Sequence, residues 1–167
     1  MTVPLALTLD SSRDLLLERI VSVPPELVWR AWTVPAVLMR WFMPVPWTTT
    51  ACEIDLRPGG KFRTVMRSPE GQEFENIGCY LEVAPIERLT WTSALNAGFR
   101  PSASAGTDSL GIVFTAAISL ARHPQGTKYT AQVMHGDAGG RNRHEQMGFE
   151  DGWGKALEQL VAVAKTL

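Results

Sequence analysis

The chain is poor in the residues that most covalent and metal chemistry requires. Its 167 residues include two cysteines and three histidines. Cys52 and Cys79 lie in separate strand-like runs without the close spacing of a metal or redox motif, so we expect reduced, buried thiols. No G-x-S-x-G pattern surrounds a serine, and neither glycine pair is followed by the Lys-Ser/Thr of a phosphate loop. The sequence therefore predicts no catalytic residue, no cofactor and no metal site.

Strong net charge and long apolar runs are also absent. The chain has 16 basic and 17 acidic residues, a formal net charge of −1 and no basic cluster, so nucleic acid is not an expected partner. No run approaches the roughly 18 apolar residues of a membrane span. The N-terminus, M-T-V-P-L-A-L-T-L-D, has no basic region of the kind that begins a secretory signal. We expect no membrane span and a cytoplasmic location.

Apolar periodicity is strongest in the last stretch, residues 144–167. The apolar members recur at steps of three and four, namely Phe149, Trp153, Ala156, Leu157, Leu160, Ala164 and Leu167. Asp151, Lys155 and Glu158 fall on the opposite side, so the pattern predicts one long amphipathic helix. Such a helix must bury its apolar face against another element. We expect it to lie on a sheet, and any space between the two would be a pocket.

The preceding residues show a period of two, interrupted by turn signals. Two short helices are predicted to begin at prolines, over residues 25–32 and 35–42. R-P-G-G at 57–60 and S-P-E-G at 68–71 are typical of tight turns. Seven strands are predicted, over residues 15–23, 48–56, 61–66, 74–83, 88–95, 110–121 and 127–135. Their short connections favour an antiparallel meander, hence an α+β class within one domain spanning 1–167, with an ordered core of about 13–166.

Two segments leave alternatives open. Residues 96–109 form a connection longer than usual, which is either disordered or a lid, with Phe99 and Arg100 as the residues of interest. In the strand at 74–83, one face carries Ile77, Cys79, Leu81 and Val83, and the other carries Phe74, Asn76, Gly78, Tyr80 and Glu82. Because the first set is wholly apolar, we expect it to face the core. A shift by one residue would turn the second set inward.

Several motifs occur together in a fixed order. They are V-P-P-E-L-V-W-R-A-W-T (23–33), W-F (41–42), D-L-R-P-G-G-K-F-R (55–63), S-P-E-G (68–71), G-C-Y-L-E-V-A-P-I-E-R-L-T-W-T (78–92) and M-G-F-E-D-G-W (147–153). Over nearly the whole chain this order resembles the START-like, helix-grip superfamily. Within it, the chain resembles the branch related to the C-terminal domain of the activator of the heat-shock-protein ATPase. The resemblance implies a curved sheet wrapped around the final helix, with an apolar cavity between them.

The residues expected to meet a ligand follow from this cavity. The hypothesis is a small hydrophobic or amphipathic ligand held by large apolar side chains, with His135 at the pocket rim. If the second face of the strand at 74–83 turns inward, Tyr80 and Glu82 become polar handles. The candidate residues are Trp41, Phe62, Met66, Tyr80, Trp91, Phe114, His135, Phe149 and Trp153. His144 and Glu145 are interpreted as groups near a helix N-terminus, with no acid–base or metal role.

Two rival functions remain open at this stage. A cyclase or hydratase would hold a proton-moving pair in the cavity, such as Tyr80 with Arg63 or with His135. A chaperone-regulating interaction module would instead have a filled cavity and an exposed apolar patch. A homodimer is an open alternative for the assembly.

Overall fold

The computed structural model describes residues 7–103 and 111–167. Its main sheet has seven antiparallel strands in the spatial order β1-β9-β8-β5-β4-β3-β2. Their bounds are Asp14–Val21 (β1), Thr48–Ile54 (β2), Lys61–Arg67 (β3), Glu73–Ala84 (β4), Arg88–Thr92 (β5), Phe114–His123 (β8) and Gly126–His135 (β9). A second, two-stranded sheet pairs Leu95–Asn96 (β6) with Arg100–Pro101 (β7). The predicted seven-stranded antiparallel sheet is confirmed.

Four α-helices complete the described chain. They are Pro25–Thr33 (α1), Pro35–Leu38 (α2), Ala138–Gln146 (α3) and Phe149–Ala164 (α4), and one turn of 3₁₀-helix spans Ala97–Phe99. α1 and α2 lead the chain from β1, at one edge of the main sheet, to β2 at the other edge. Each begins with proline, whose fixed φ suits the first helical position. The Trp41 indole donates to the Ala31 carbonyl at 3.0 Å, which ties the two short helices together.

The C-terminal helix closes one face of the sheet. Its side chains Leu157, Leu160 and Ala164 are buried in the hydrophobic core that also contains Leu17 of β1 and Val28 of α1. The amphipathic pattern in the sequence therefore predicted the buried face of α4, and the helix-grip arrangement is confirmed.

The prediction of one continuous helix from residue 144 was wrong. The chain forms α3 over Ala138–Gln146, breaks, and starts α4 at Phe149. Gly148 causes the break because its φ of 92° lies in the left-handed region, which glycine tolerates without the steric penalty of a side chain. The Asp137 side chain accepts a hydrogen bond from the Gly140 amide at 2.8 Å and so caps α3. Gly139 and Gly140 therefore lie in a helix that the sequence analysis did not predict.

The expected inward face of β4 was wrong for residues 74–80 but right beyond the register shift between Tyr80 and Glu82, where Val83 packs against the core. β3 pairs with β4 so that Phe62 lies opposite Gly78, and Met66 lies opposite Phe74. Phe62 and Met66 are buried on the side of α4, so the set that contains Gly78 and Phe74 faces that side. Ile77, from the wholly apolar set, is 37 % exposed. The apolar composition misled because residues on both faces of β4 are buried, Cys79 among them.

The first part of the long connection after β5 forms regular secondary structure. Over the described residues 95–103 it forms β6, the 3₁₀ turn and β7, and it contacts β3 and β4. The Phe99 ring lies so close to Gly59 that a Cβ there would sit 2.8 Å from it. The remaining part of the predicted loop, with Leu110 of the predicted strand, lies outside the described residues.

Both cysteines are free thiols, Cys79 buried and Cys52 partly buried. Burial raises the pKa of Cys52 to about 11. Within the described ranges, no helix is both long and apolar enough to cross a membrane.

Candidate functional site

A cavity of about 270 Å³ lies between the main sheet and α4. Its volume is near the lower end of the range for small-molecule sites, about 300–1,000 Å³. The walls come from α1, the segment that follows α2, strands β3, β4, β5, β8 and β9, and the segment from His144 to Leu157. The lining residues are mostly aromatic or aliphatic, and they include Trp32, Trp41, Phe42, Phe62, Met66, Trp91, Ile112, Phe114, Tyr129, Met147, Phe149, Trp153, Ala156 and Leu157.

Seven of the nine candidate residues line this cavity. They are Trp41, Phe62, Met66, Trp91, Phe114, Phe149 and Trp153. Alternation on β3 and β8, and the three-to-four spacing on α4, bring these side chains to one space. Their contact with a ligand stays a prediction, and the geometry supplies the place where it would occur.

Aromatic rings form two clusters in the cavity wall. In the first, the Trp32 ring lies 4.9 Å from Trp41 and 5.1 Å from Trp91, and Trp91 lies 5.3 Å from Phe62. In the second cluster, Trp153 lies 5.2 Å from Phe149 and 6.2 Å from Phe114. Ring pairs at these separations attract beyond their buried area. The walls are therefore preorganised to hold flat, apolar groups.

Tyr80 is not a polar handle in the cavity. Although its set on β4 faces inward, its ring is stacked behind Phe62 with centroids 5.2 Å apart, and it is fully buried. Its hydroxyl makes no hydrogen bond, and burial raises the pKa of the phenol. Glu82, another polar member of that set, lies beyond the register shift in β4 and is held by Arg88 at 2.6 Å. Tyr80 is thus part of the core.

His135 also lies outside the cavity wall. It ends β9 with its ring buried, where Nδ1 lies 2.8 Å from the Arg13 carbonyl oxygen. Its Nε2 lies 2.9 Å from Nδ1 of His144. His144 does line the cavity, and it sits in the last turn of α3, not at a helix N-terminus. The histidine at the cavity is therefore His144, which was not a candidate site residue, and not His135, which was.

The remaining polar groups at the wall are few and uncharged. Thr64, Asn76 and Ser93 contribute them from β3, β4 and the end of β5. The lining residues within the described chain include no lysine, arginine, aspartate or glutamate. Burial, with a smaller effect of His135, lowers the pKa of His144 to about 4. The cavity is thus close to electrically neutral at physiological pH.

The structure does not bring together the proton-moving pair considered from the sequence. Arg63 points to the opposite face of β3, where its guanidinium donates to Glu75 at 2.6 Å and to Glu53 at 3.3 Å. His135 is occupied by the Arg13 carbonyl and His144. Among the described residues, no group of three or more His, Cys, Asp or Glu side chains is arranged to hold a metal ion.

Sequence reasoning missed Trp32, His144 and Gly152 as cavity residues. Trp32 lies within the predicted first helix but was not among the candidate residues. Gly152 has a readable signal, because it lies three residues after Phe149 and four before Ala156 on the apolar face of α4. His144 could have been found only with the helix break at Gly148.

An α+β domain whose last helix lies across an antiparallel sheet, over an apolar cavity, defines the START-like, helix-grip class. The chain belongs to the family described as "Activator of Hsp90 ATPase homolog 1-like protein", whose sequence profile matches residues 22–165. No curated protein sequence matches it.

Solved structures agree with this assignment. A crystal structure of a protein from Nitrosomonas europaea is 47 % identical with a TM-score of 0.88, covering 95 % of this chain and 97 % of that one. A crystal structure from Rhodobacter sphaeroides is 21 % identical with a TM-score of 0.78, covering 94 % and 95 %. An AHSA1-like protein from Aeromonas hydrophila, solved by NMR, is 22 % identical with a TM-score of 0.66, covering 92 % of each chain.

Proposed function

We propose that this protein binds a small hydrophobic or amphipathic molecule in the cavity between its sheet and α4. The observation that supports this most is the open space itself. Protein interiors are normally close-packed, yet about 270 Å³ remains between two rows of apolar side chains. A ligand that filled the space would regain dispersion contacts and remove apolar surface from water.

The chemistry of the walls favours an uncharged ligand body. A charged group moved into the cavity would lose its hydration, and no opposite charge among the described lining residues would replace it. Flat aromatic or short aliphatic groups would instead contact the Trp32–Trp41–Trp91 cluster and the Phe149–Trp153 pair. The ligand class is therefore set by shape and apolarity.

Observations on the rivals favour ligand binding. A chaperone-regulating module, which the family description suggests, was predicted to have a filled cavity and an exposed apolar patch. The cavity is open, whereas the large exposed apolar side chains of the described residues come from different parts of the chain, such as Leu16 of β1, Val45 after α2 and Met147 after α3. A hydratase or cyclase would hold Tyr80 together with Arg63 or His135 in the cavity, and these side chains do not meet there.

Filling the cavity from α4 tests the proposal directly. A Cβ added at Gly152 would meet no atom within 4 Å, and this residue lines the cavity. A Cβ at Gly154 would also meet no atom within 4 Å, but Gly154 does not line the cavity. Gly152→Leu and Gly154→Leu therefore form a matched pair, and each replaces a helical glycine at a gain of up to about 1 kcal/mol.

The assay is a thermal-shift and calorimetric screen of apolar compounds, namely fatty acids, sterols, aromatic polyketides and simple aromatics. We expect at least one of these classes of compound to bind and, by mass action, to raise the melting temperature of both the wild-type protein and Gly154→Leu. Gly152→Leu should fold and yet lose this shift. If no apolar class stabilises the wild type, or if both variants bind equally well, the cavity is not the binding site.

A further inference from the structure

The two buried histidines form a hydrogen-bonded chain that ends at the cavity. The Arg13 carbonyl oxygen lies 2.8 Å from His135 Nδ1, and His135 Nε2 lies 2.9 Å from His144 Nδ1. Both rings are buried, and the His144 ring packs between the rings of Phe114 and Phe149. These two hydrogen bonds determine which nitrogen atoms of the two rings carry a hydrogen.

A carbonyl oxygen can only accept, so His135 Nδ1 must carry the hydrogen. In a neutral imidazole the other nitrogen is then an acceptor. His135 Nε2 therefore accepts, and the donor has to be Nδ1–H of His144. By the same rule, the lone pair of neutral His144 is on Nε2. The tautomers of both rings follow from the fixed direction of the first hydrogen bond.

The His144 Nε2 atom is accessible from the cavity. Three buried side-chain polar atoms of the described residues lack a partner, on Trp32, Thr49 and Tyr80, and His144 Nε2 is not one of them. No described residue makes a hydrogen bond to Nε2 either. Because Nδ1 bonds to His135, Nε2 is the ring nitrogen left for a ligand, and the open space beside this ring is the cavity that His144 lines.

We propose that His144 Nε2 recognises a neutral hydroxyl group on the ligand, which makes apolar alcohols and phenols the preferred ligands of the cavity. This inference rests on the proposed ligand-binding function and adds the one polar contact that gives it chemical selectivity. The hydroxyl donates to Nε2, and the rest of the molecule contacts the aromatic walls.

The surroundings support a neutral acceptor over an acid–base group. The charged groups that influence this pair are Asp14 on β1 with Asp137 and Arg141 at α3, which act on His135, and none of them lines the cavity. Burial lowers the pKa of both histidines. At neutral pH, His144 is therefore a weak base but a competent hydrogen-bond acceptor. A carboxylate ligand would face the lone pair and be repelled.

Adding one proton to the histidine pair changes His144 Nε2 from a hydrogen-bond acceptor into a donor. Whichever ring receives it, the single hydrogen between the rings is kept, and His144 Nε2 then carries a hydrogen. An Nε2–H donates to a hydroxyl or an ether oxygen alike. The preference for hydroxyl over ether is therefore expected only above the pKa of the pair.

Pairs of ligands that differ only in whether the hydroxyl is methylated measure the contribution of the hydroxyl to binding. Calorimetric titration with 2-naphthol, 4-pentylphenol and the methyl ether of each compares a donor with an otherwise similar non-donor. In the wild type we expect each phenol to bind about 3- to 10-fold more tightly than its ether, the value of one neutral hydrogen bond. In His144→Phe the ratio should fall to about 1 with the ether affinity retained, and in Gly152→Leu both members should lose binding.

The outcomes separate the two proposals. Equal affinities for phenol and ether in the wild type would overturn the inference about His144 and leave ligand binding in place. If no member of either pair binds the wild type, both proposals fail for these compounds. Retained ether binding by His144→Phe also shows that the variant folds with its cavity intact.

A measurement on the wild type alone gives an independent test. Two-bond ¹H–¹⁵N correlation spectra distinguish protonated from unprotonated ring nitrogens. At neutral pH we expect Nδ1–H tautomers for both His135 and His144, with a shift of the His144 Nε2 resonance on addition of 2-naphthol. An Nε2–H tautomer of His144 would contradict the proposed acceptor.

Discussion

Acidification should destabilise this protein through the buried pair formed by His135 and His144. The pKa of His144 is about 4 in the folded state, below the ordinary 6.5, because burial disfavours the charged ring. The unfolded chain therefore binds a proton below about pH 6.5 that the folded chain refuses. Stability is fully present above this pH and is lost progressively as pH falls toward about 4.

The magnitude follows from the two pKa values. Between about pH 7.5 and about pH 5, a histidine shifted from 6.5 to about 4 removes roughly 2 kcal/mol of unfolding free energy. Roughly 2 kcal/mol is an upper value, because His144 is 5 % exposed but lines a cavity whose solvent screens part of the effect. A loss of this size is a substantial share of the total for a domain, typically about 5–15 kcal/mol.

Urea unfolding followed by tryptophan fluorescence measures this loss. The comparison is between the wild type and His144→Phe, which preserves an aromatic ring beside Phe114 and Phe149. Carboxylates titrate in both proteins, so the difference between their pH profiles isolates the ring at position 144. We expect the wild type to lose about 2 kcal/mol more than the variant over this range. Parallel profiles would show that His144 is protonated as easily in the folded state as in the unfolded chain, which would refute a buried neutral ring.

Four further substitutions test other parts of the structure. Asp137→Ala removes the side chain that caps α3 at the Gly140 amide, and urea unfolding should show a loss of about 1 kcal/mol. Tyr80→Phe deletes a buried hydroxyl that has no partner and should leave stability unchanged or raise it. By contrast, Thr127→Val removes a hydroxyl that donates to a backbone carbonyl at 2.7 Å, and it should lower the free energy of unfolding by about 1 kcal/mol or more. Gly148→Ala places a side chain at a φ of 92° and should lower stability by about 1–2 kcal/mol, with weaker coupling between the two histidine rings in NMR spectra.

The sequence predicted the fold well where local patterns carry enough information. The turn at 57–60 requires glycine at Gly60, since a Cβ there would lie 1.9 Å from the Asp55 carbonyl oxygen. α3 was not predicted because glycines at its start lower helix propensity. The overlooked signal was the Asp137 cap, which stabilises a helix that propensity alone does not favour.

Prediction of the site succeeded for aromatic residues and failed for polar ones. Trp91 and Phe114 were identified because alternation along a strand places them on one face. Tyr80 was assigned to the cavity on the same alternation, but Phe62 covers it, and a cross-strand contact is invisible in a single sequence. Conversely, the contact between His135 and His144 joins a strand end to a helix end, so neither periodicity nor spacing predicts it.

The break at Gly148 explains why helical periodicity alone does not identify His144 as a cavity residue. On a continuous helix, positions seven apart share a face, so His144 would align with the exposed Asp151 and lie opposite Trp153, nine residues away. The left-handed residue ends α3 and restarts the helical register at Phe149. The two helices then present His144 and Trp153 to the same space, with ring centroids 6.3 Å apart. One conformationally permissive residue thus converts a polar surface position into the polar point of an apolar cavity.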